Sequence, residues 1–274
     1  MNRETLMNIP VVKKMCDFVM PYWSKFEPYL KISLREVLFN RRTILMEFLI
    51  FLILIMTFGL VNAFDPGSLD YDYYVTNVAW NIIMLLFLGV SSIISAVTLV
   101  YDQIDEGKMG FQVMKPIKRR WILVLKYFSS VISGTVVIFI PMVIFYFIYN
   151  YQDGTEMLSH LDILWGLLVV SFFSIMGYTA MFFVISLVTK HPLLIGLVIF
   201  FIWDLLFGMA ETLIRYGTVR YYTLSMANKF VPYGTFSNMR NAMDAYQSIG
   251  VLIVISVLLI IISSYIFERT EVIE

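Results

Sequence analysis

One stretch of the chain combines acids, glycines, a proline and bases at close spacing, and it lies between two long apolar runs. It spans Tyr101–Phe128 and reads YDQIDEGKMGFQVMKPIKRRWILVLKYF. Asp102, Asp105 and Glu106 are spaced so that they share one face of a helix. The glycines of GKMG then permit a sharp turn. This order of residues favours polar contacts with another protein over bond-breaking chemistry.

The second half of this stretch mixes apolar residues with bases. Pro116 is placed where one helix ends and another begins. Arg119 and Arg120 then hold the start of the next apolar run at the lipid headgroups. A solvated loop that only sets membrane orientation is the alternative interpretation. Three apolar side chains argue against it, namely Phe111, Val113 and Met114.

The sequence lacks the motifs of the common catalytic and nucleotide-binding sites. There is no G-x-x-x-x-G-K-S/T loop for nucleotide phosphates and no H-E-x-x-H metal motif. The two histidines, His160 and His191, are predicted to lie on opposite sides of a membrane, and Cys16 is the single cysteine. The 17 methionines fit apolar packing better than metal binding. We therefore expect a chain that is not an enzyme, that holds no metal or cofactor, and whose energy source lies elsewhere.

The composition is that of an integral membrane protein. Hydrophobic residues make up 59% of the 274 residues, charged residues make up 15%, and the mean hydropathy is +0.79. A soluble domain is about 45–50% apolar and about 25% charged. The net charge of zero indicates neither a nucleic-acid partner nor an acidic one.

Apolar runs of about 20 residues predict membrane-spanning helices. Six such runs occur in the chain, and an even number places both termini on one side of the membrane. The predicted spans are Ile44–Phe64, Val75–Tyr101, Trp121–Tyr149, Ile163–Thr189, Leu193–Ala210 and Ile249–Phe267. The predicted fold is therefore an all-α integral membrane protein with six transmembrane helices.

The distribution of lysine and arginine predicts the orientation of these spans. Sixteen of the 20 bases fall on the side that carries the termini and the Tyr101–Phe128 stretch. Because cytoplasmic loops carry an excess of Lys and Arg, this side is predicted to be cytoplasmic. The first two loops on the opposite side contain acids and no bases. We expect a multi-pass protein of the plasma membrane.

The segments outside the spans are predicted to contain amphipathic helices. Residues 1–43 form a cytoplasmic segment in which a basic amphipathic helix after Pro28 lies at the membrane interface. Residues 44–267 form the six-span domain, and residues 268–274 form a cytoplasmic tail. The outer segment Glu211–Ser248 is long and rich in tyrosine, which predicts short helices or an element that re-enters the bilayer surface.

A few polar residues within the spans are candidates for a substrate path. Asp204 is an acid within an apolar run, where a charge is costly, and Glu211 follows it seven residues later on the same helical face. The alternative is that Asp204 hydrogen-bonds a polar residue of a neighbouring span and stabilises packing. Asn77 and Asn81 are weaker candidates. Glu47, near the start of the first span, is expected to pair with a neighbouring base.

The sequence DEGKMGFQVMKPIKRRWILVLKYFSSVI resembles the loop between spans two and three of type-2 ABC transporter permeases. The shared order is acidic, glycine, apolar, proline, basic. The six-span layout, the basic helix before span one and the long outer segment between spans five and six resemble this family as well. Gln112 departs from the family pattern, where an acid is usual. The matching positions are Asp105, Glu106, Gly107 or Gly110, Met114, Pro116, Ile117, Arg119, Ile122 and Lys126.

This resemblance implies a function as the permease subunit of an ATP-driven exporter of hydrophobic or amphipathic substrates. In this family the loop forms a coupling helix that docks on a separate ATPase. The implied partners are two ATPase subunits, which bind ATP and Mg²⁺, and a second permease copy in a homodimer. The residues expected to contact the ATPase are Asp105, Glu106, Gly107, Gly110, Phe111, Met114, Pro116 and Arg119. A sensor or scaffold on the same fold, and a channel or carrier without an ATPase, are the alternatives.

Overall fold

The computed structural model describes residues 27–64, 73–113, 119–153, 160–209, 213–231 and 242–269. Within these ranges all regular elements are helices, as the sequence predicts. Five of these helices are long and apolar enough to cross a membrane. The prediction of an all-α, multi-pass membrane protein is confirmed at this level.

Nine helices organise the described residues. They are α1 (27–38), α2 (Arg41–Phe64), α3 (Tyr74–Asp105), α4 (Lys108–Val113), α5 (Arg119–Asp153), α6 (Leu161–Val188), α7 (Pro192–Leu206), α8 (Val219–Phe230) and α9 (Ala245–Arg269). Helix α1 lies where the sequence predicts a helix after Pro28, and its position at a membrane interface stays a prediction. Helix α8 is a short helix within the long segment that precedes the last span, also as predicted.

Two of the apolar helices contain π-helical segments. Helix α3 begins as a π-helix, Tyr74–Phe87, and continues as an α-helix, Leu88–Leu99. Helix α7 becomes π-helical over Ile199–Leu206, and a short 3₁₀ turn, Leu213–Gly217, precedes α8. π-Helices are rare and often occur at functional sites. The α7 segment contains Asp204, the acid that the sequence singles out.

Five of the six predicted spans correspond to the long helices α2, α3, α5, α6 and α9. The remaining prediction, Leu193–Ala210, corresponds to the shorter helix α7, which Phe207–Met209 extend without a break. At 1.5 Å per residue the helical run Pro192–Met209 reaches about 27 Å. The hydrocarbon core of a bilayer is about 30 Å thick. This run is close to the length of a span, and a sixth crossing stays a prediction.

Helix α3 forms the centre of the bundle, whereas α2 lies at its periphery. In their most apolar windows, 72% of α3 is buried but only 17% of α2. Small residues in the second half of α3 permit this burial because they let neighbouring helices approach closely. At Gly89, for example, an added Cβ would lie 2.0 Å from the ring of Phe200 on α7.

Ion pairs connect four helix ends at one end of the bundle, which we call the charged end. The Arg42 guanidinium of α2 donates to the Asp102 carboxylate of α3 at 2.9 Å. The Arg120 guanidinium of α5 donates to the Glu268 carboxylate of α9 at 2.7 Å. Lys190, in the turn between α6 and α7, lines a cavity with Arg42 and Asp102. Residues that the distribution of Lys and Arg places on one side of the membrane therefore lie together at the charged end.

Helix α8 packs antiparallel along the N-terminal half of α6. Close to the start of α6, an added Cβ at Gly166 would lie 2.2 Å from the backbone oxygen of Phe230, the last residue of α8. Farther along α6, the Ser174 and Thr223 hydroxyl oxygens are 2.7 Å apart. As residue numbers rise along α6 they fall along α8, so the two helices run in opposite directions.

Helix α7 continues the same arrangement along the C-terminal half of α6. The rings of Tyr178 and Phe200 meet edge to face, with centroids 5.7 Å apart. Nearer the charged end, an added Cβ at Gly196 would lie 3.5 Å from Phe182. Helix α7 therefore also runs antiparallel to α6. The two short helices follow one another along a single long helix, and their facing ends meet near Tyr178.

Candidate functional site

The Tyr101–Phe128 stretch forms a tight helix–turn–helix corner at the charged end. The turn contains Gly107, whose φ of 68° lies in the left-handed region that favours glycine. Its backbone N–H donates to the Ile104 carbonyl at 3.0 Å. Gly110 instead lies inside α4, where an added Cβ would meet no atom within 4 Å. The structure therefore assigns the turn glycine, which the sequence leaves open between these two positions, to Gly107.

Helix α4 is attached to the bundle on one side and exposed on the other. Met109 is fully buried in the apolar core, whereas Asp105, Glu106 and Lys108 are exposed. The Lys108 ammonium lies 2.5 Å from the Glu106 carboxylate. By accepting this hydrogen bond, the carboxylate raises the pKa of the Lys108 ammonium above its ordinary value. The exposed acids are therefore available to a partner at a fixed position.

For two further predicted coupling residues the structure defines the backbone position alone. The backbone of Phe111 belongs to α4 and that of Arg119 begins α5. Met114 and Pro116 lie outside the described residues. Among the predicted coupling residues, side-chain geometry is thus defined at Asp105 and Glu106, and backbone geometry at Gly107 and Gly110.

A buried lysine connects α5 to α3 and, through a glutamine, to α1. Lys126 of α5 is only 2% exposed, and its Nζ donates to the Leu99 carbonyl of α3 at 3.0 Å. It also donates to the Gln103 side-chain oxygen, and the Gln103 amide in turn donates to the Glu36 carboxylate of α1. Buried charges require such partners. Helices α1, α3 and α5 are therefore held together directly beneath the turn.

Replacing Gly107 with alanine is expected to destabilise the turn that precedes α4. An L-residue in the left-handed region costs roughly 1–2 kcal/mol, because its Cβ crowds the following carbonyl. Hydrogen exchange of the α4 amides should accelerate by roughly 5–30-fold. Gly110→Ala is the matched control and should leave exchange unchanged or slower. Equal effects of the two substitutions would contradict the assignment of the turn to Gly107.

Asp204 is the centre of a second polar site, buried where α7 and α8 meet. Its carboxylate accepts a hydrogen bond from the Tyr178 hydroxyl of α6 and, at 3.2 Å, one from the backbone N–H of Arg220 on α8. The residue is only 1% exposed. A single carboxylate therefore joins α6, α7 and α8.

The second of these hydrogen bonds places the carboxylate at the N-terminus of α8. The first backbone N–H groups of a helix have no partner within the helix, and the helix dipole favours negative charge there. The Thr218 hydroxyl accepts from the Tyr221 N–H at 3.3 Å, so a second oxygen caps the same helix start. The position of α8 is thus fixed by electrostatics as well as by packing.

A cavity of about 20 Å³ adjoins the Asp204 carboxylate. The Nε atom of Arg220 is buried and has no hydrogen-bond partner among the described residues. A space of this size holds about one water molecule. It is too small for a drug-sized ligand, which needs about 300 Å³ or more. The lining residues are Trp80, Met84, Leu85, Tyr178, Phe200, Asp204, Arg220 and Thr223.

The remaining substrate-path candidates do not converge on Asp204. Asn77 is half-buried and Asn81 is exposed, both in the π-helical part of α3, and neither lines the cavity. Glu211 lies outside the described residues. The contact between Asp204 and Tyr178 instead matches the packing alternative, in which the acid bonds a polar residue of a neighbouring span.

Sequence reasoning did not identify Tyr178 and Arg220 as partners of Asp204. Arg220 counts as a base of the outer segment, and Tyr178 is one of many aromatic residues in an apolar run. The sequence contains only an indirect indication of these partners: an acid within an apolar run requires a hydrogen-bond donor nearby. Within the described ranges, no group of three or more His, Cys, Asp or Glu side chains is placed to hold a metal ion. Comparisons with protein-family models, curated proteins and solved structures find no match to this chain.

Proposed function

We propose that this chain is the membrane subunit of an ATP-driven exporter, similar to the type-2 ABC transporter permeases. It moves a hydrophobic or amphipathic substrate outward, and a separate ATPase subunit supplies the energy. The observation that carries this proposal is the geometry of α4. This short helix lies at the charged end directly after two exposed acids, Asp105 and Glu106, while Met109 anchors it in the core.

The surroundings of α4 favour a role in transmitting force. The tight turn at Gly107 joins α4 directly to α3, the most buried helix of the bundle. Lys126 connects α3 to α5 and, through Gln103, to α1. A push on α4 is therefore delivered to three helices together. In the proposed cycle, ATP closes the ATPase dimer, α4 moves, and the bundle rearranges to release substrate outward.

The proposed topology has six crossings with both termini in the cytoplasm. Helices α7 and α8 together form the fifth crossing, because they follow one another along α6 and run in the same direction. Discontinuous membrane helices are tolerated where protein surrounds the break. Here the Asp204 carboxylate of α7 accepts a hydrogen bond from the start of α8. In the plasma membrane the charged end faces the cytoplasm, in agreement with its excess of bases.

The proposed complex contains two copies of this chain and two ATPase subunits. The exposed acids that precede α4, Asp105 and Glu106, require a basic or hydrogen-bonding groove on the ATPase. ATP and Mg²⁺ belong to that subunit, since this sequence has no nucleotide-binding loop. The membrane subunit binds the substrate and undergoes the conformational change that releases it.

Charge reversal at α4 tests the proposal. The tagged chain is purified from its own membranes in mild detergent, and ATP hydrolysis by any copurifying protein with a Walker motif is measured. Asp105→Lys combined with Glu106→Lys is expected to reduce the associated ATPase activity by at least about tenfold, because like charges then face each other at the contact. Glu27→Lys changes an exposed acid of α1 instead and should leave that activity intact.

The outcomes separate the candidate functions. An associated ATPase that is lost only on reversal at α4 supports the exporter. Absence of any ATPase in the purified complex would favour the channel or carrier. An ATPase that stays bound but is stimulated by no amphipathic compound would favour the sensor or scaffold.

A further inference from the structure

An open groove separates the first part of α2 from the middle of α5. Its volume is about 520 Å³, within the range of sites for drug-sized ligands. It is apolar except for two side chains of α2, Thr43 and Glu47. Its lining residues are Leu38, Thr43, Ile44, Glu47, Phe48, Phe51, Val136, Val137 and Ile140. We call it the α2–α5 groove.

Both polar residues of the α2–α5 groove have a buried atom without a partner. The Glu47 Oε2 and the Thr43 hydroxyl oxygen have no hydrogen-bond partner among the described residues. The two residues are four positions apart on α2 and so share one helical face. Such buried polar atoms are unusual and need a partner from elsewhere.

The structure corrects the expectation that Glu47 pairs with a nearby base. Arg42 is close in sequence, but its guanidinium donates to both carboxylate oxygens of Asp102, at 3.2 and 2.9 Å. Its charge is therefore directed to the corner between α2 and α3. The Glu47 Oε2 atom is left buried in the apolar groove.

The chemistry of the lining selects for one kind of ligand. A carboxylate at membrane depth is costly, and a cation in contact with it relieves that cost. Phe48 and Phe51 add aromatic rings, whose faces attract cations. Among the described residues that line the groove there is no base, so an anionic amphiphile would find no charge partner there. An apolar body carrying one positive charge matches both the wall and the carboxylate.

We propose that the α2–α5 groove binds a lipophilic monovalent cation, held by Glu47 and the apolar wall. Helix α2 is largely exposed, so the ligand enters sideways from the bilayer. One part of this inference rests on the proposed function, namely that the bound cation is a substrate for transport. Binding itself needs neither ATP nor a partner subunit.

Binding of radiolabelled tetraphenylphosphonium to the chain in lipid nanodiscs, without ATPase, tests this site. Glu47→Gln is expected to weaken saturable binding by at least about tenfold, because it removes the one carboxylate among the described lining residues. Glu27→Gln, which neutralises an acid of α1 outside the groove, should bind like the parent protein. Tetraphenylborate has the same shape and the opposite charge and should show no saturable binding.

A second variant tests the groove independently of the folding of Glu47→Gln. Val136→Trp fills the groove from the exposed side of α5 and is expected to abolish saturable binding. The proposal is overturned if Glu47→Gln or Val136→Trp binds the cation normally, or if tetraphenylborate binds equally well. A crosslinking experiment gives a further test, with Phe48→Cys introduced in a Cys16→Ser background. If two copies crosslink through this cysteine and the cation does not reduce the crosslinking, a second copy covers the groove and the proposal is overturned. Loss of ATPase association at α4 leaves this measurement unchanged, so the two proposals fail separately.

Discussion

Asp204→Ala is expected to destabilise the protein by about 3–5 kcal/mol, since removing one partner of a buried charged site leaves the rest uncompensated. The substitution leaves the Tyr178 hydroxyl and the Arg220 backbone N–H without their acceptor. It also removes the acid that lines the small cavity together with Arg220. The expected result is a lower unfolding temperature of the purified chain and faster exchange of the α8 amides.

A double-mutant cycle separates the charge from the packing. Its single variants are Asp204→Asn and Arg220→Met, and each should destabilise the fold because it leaves the other charge buried without its counterpart. Combining Asp204→Asn with Arg220→Met removes both charges and should cost much less than the sum of the two single losses, as expected for coupled neighbours. Strictly additive losses would show that the two residues stabilise the fold independently.

Transport measurements distinguish the structural role of Asp204 from a role in the substrate path. The carboxylate is 1% exposed and its cavity holds about one water molecule, so we expect a structural role. Asp204→Asn should then lower the amount of assembled complex but not the transport per complex. A loss of transport with assembly intact would instead place Asp204 on the path.

Gly166→Ala is the second substitution with a large expected effect, about 1–3 kcal/mol or more. A Cβ at this position would lie 2.2 Å from the Phe230 backbone oxygen and 2.9 Å from its carbon. Backbone atoms cannot rotate away as a side chain can, so the end of α8 must move off α6. We expect a lower unfolding temperature and weaker protection of the α8 amides from hydrogen exchange.

Gly59→Ala is the matched control for this substitution. Gly59 is also helical, but an added Cβ there would meet no atom within 4 Å. Alanine is favoured over glycine in a helix by about 1 kcal/mol, so Gly59→Ala should be neutral or slightly stabilising. Similar losses for the two variants would contradict the close packing of α8 on α6.

Much of the architecture follows from properties that can be read along the chain. Long apolar runs predict helices that cross a membrane, because the bilayer leaves no partner for free backbone groups. The distribution of Lys and Arg predicts which helix ends lie on the same side of the membrane. These ends meet at the charged end, where Arg42 pairs with Asp102 and Arg120 pairs with Glu268. The short helix at Lys108–Val113 falls within the stretch singled out by its charges and glycines.

The contacts at the candidate sites depend on how distant helices pack. Tyr178, Asp204 and Arg220 meet across three helices, and no local pattern pairs them. Hydropathy predicts the apolar run of α7 but not the contacts of Asp204 with α6 and α8. Packing likewise decides Gly107, which a backbone angle distinguishes from Gly110. It also decides Glu47, because the neighbouring base Arg42 binds Asp102 instead. Hydropathy and charge act locally and are visible in sequence, whereas the partner of a buried polar group is set by the three-dimensional packing around it.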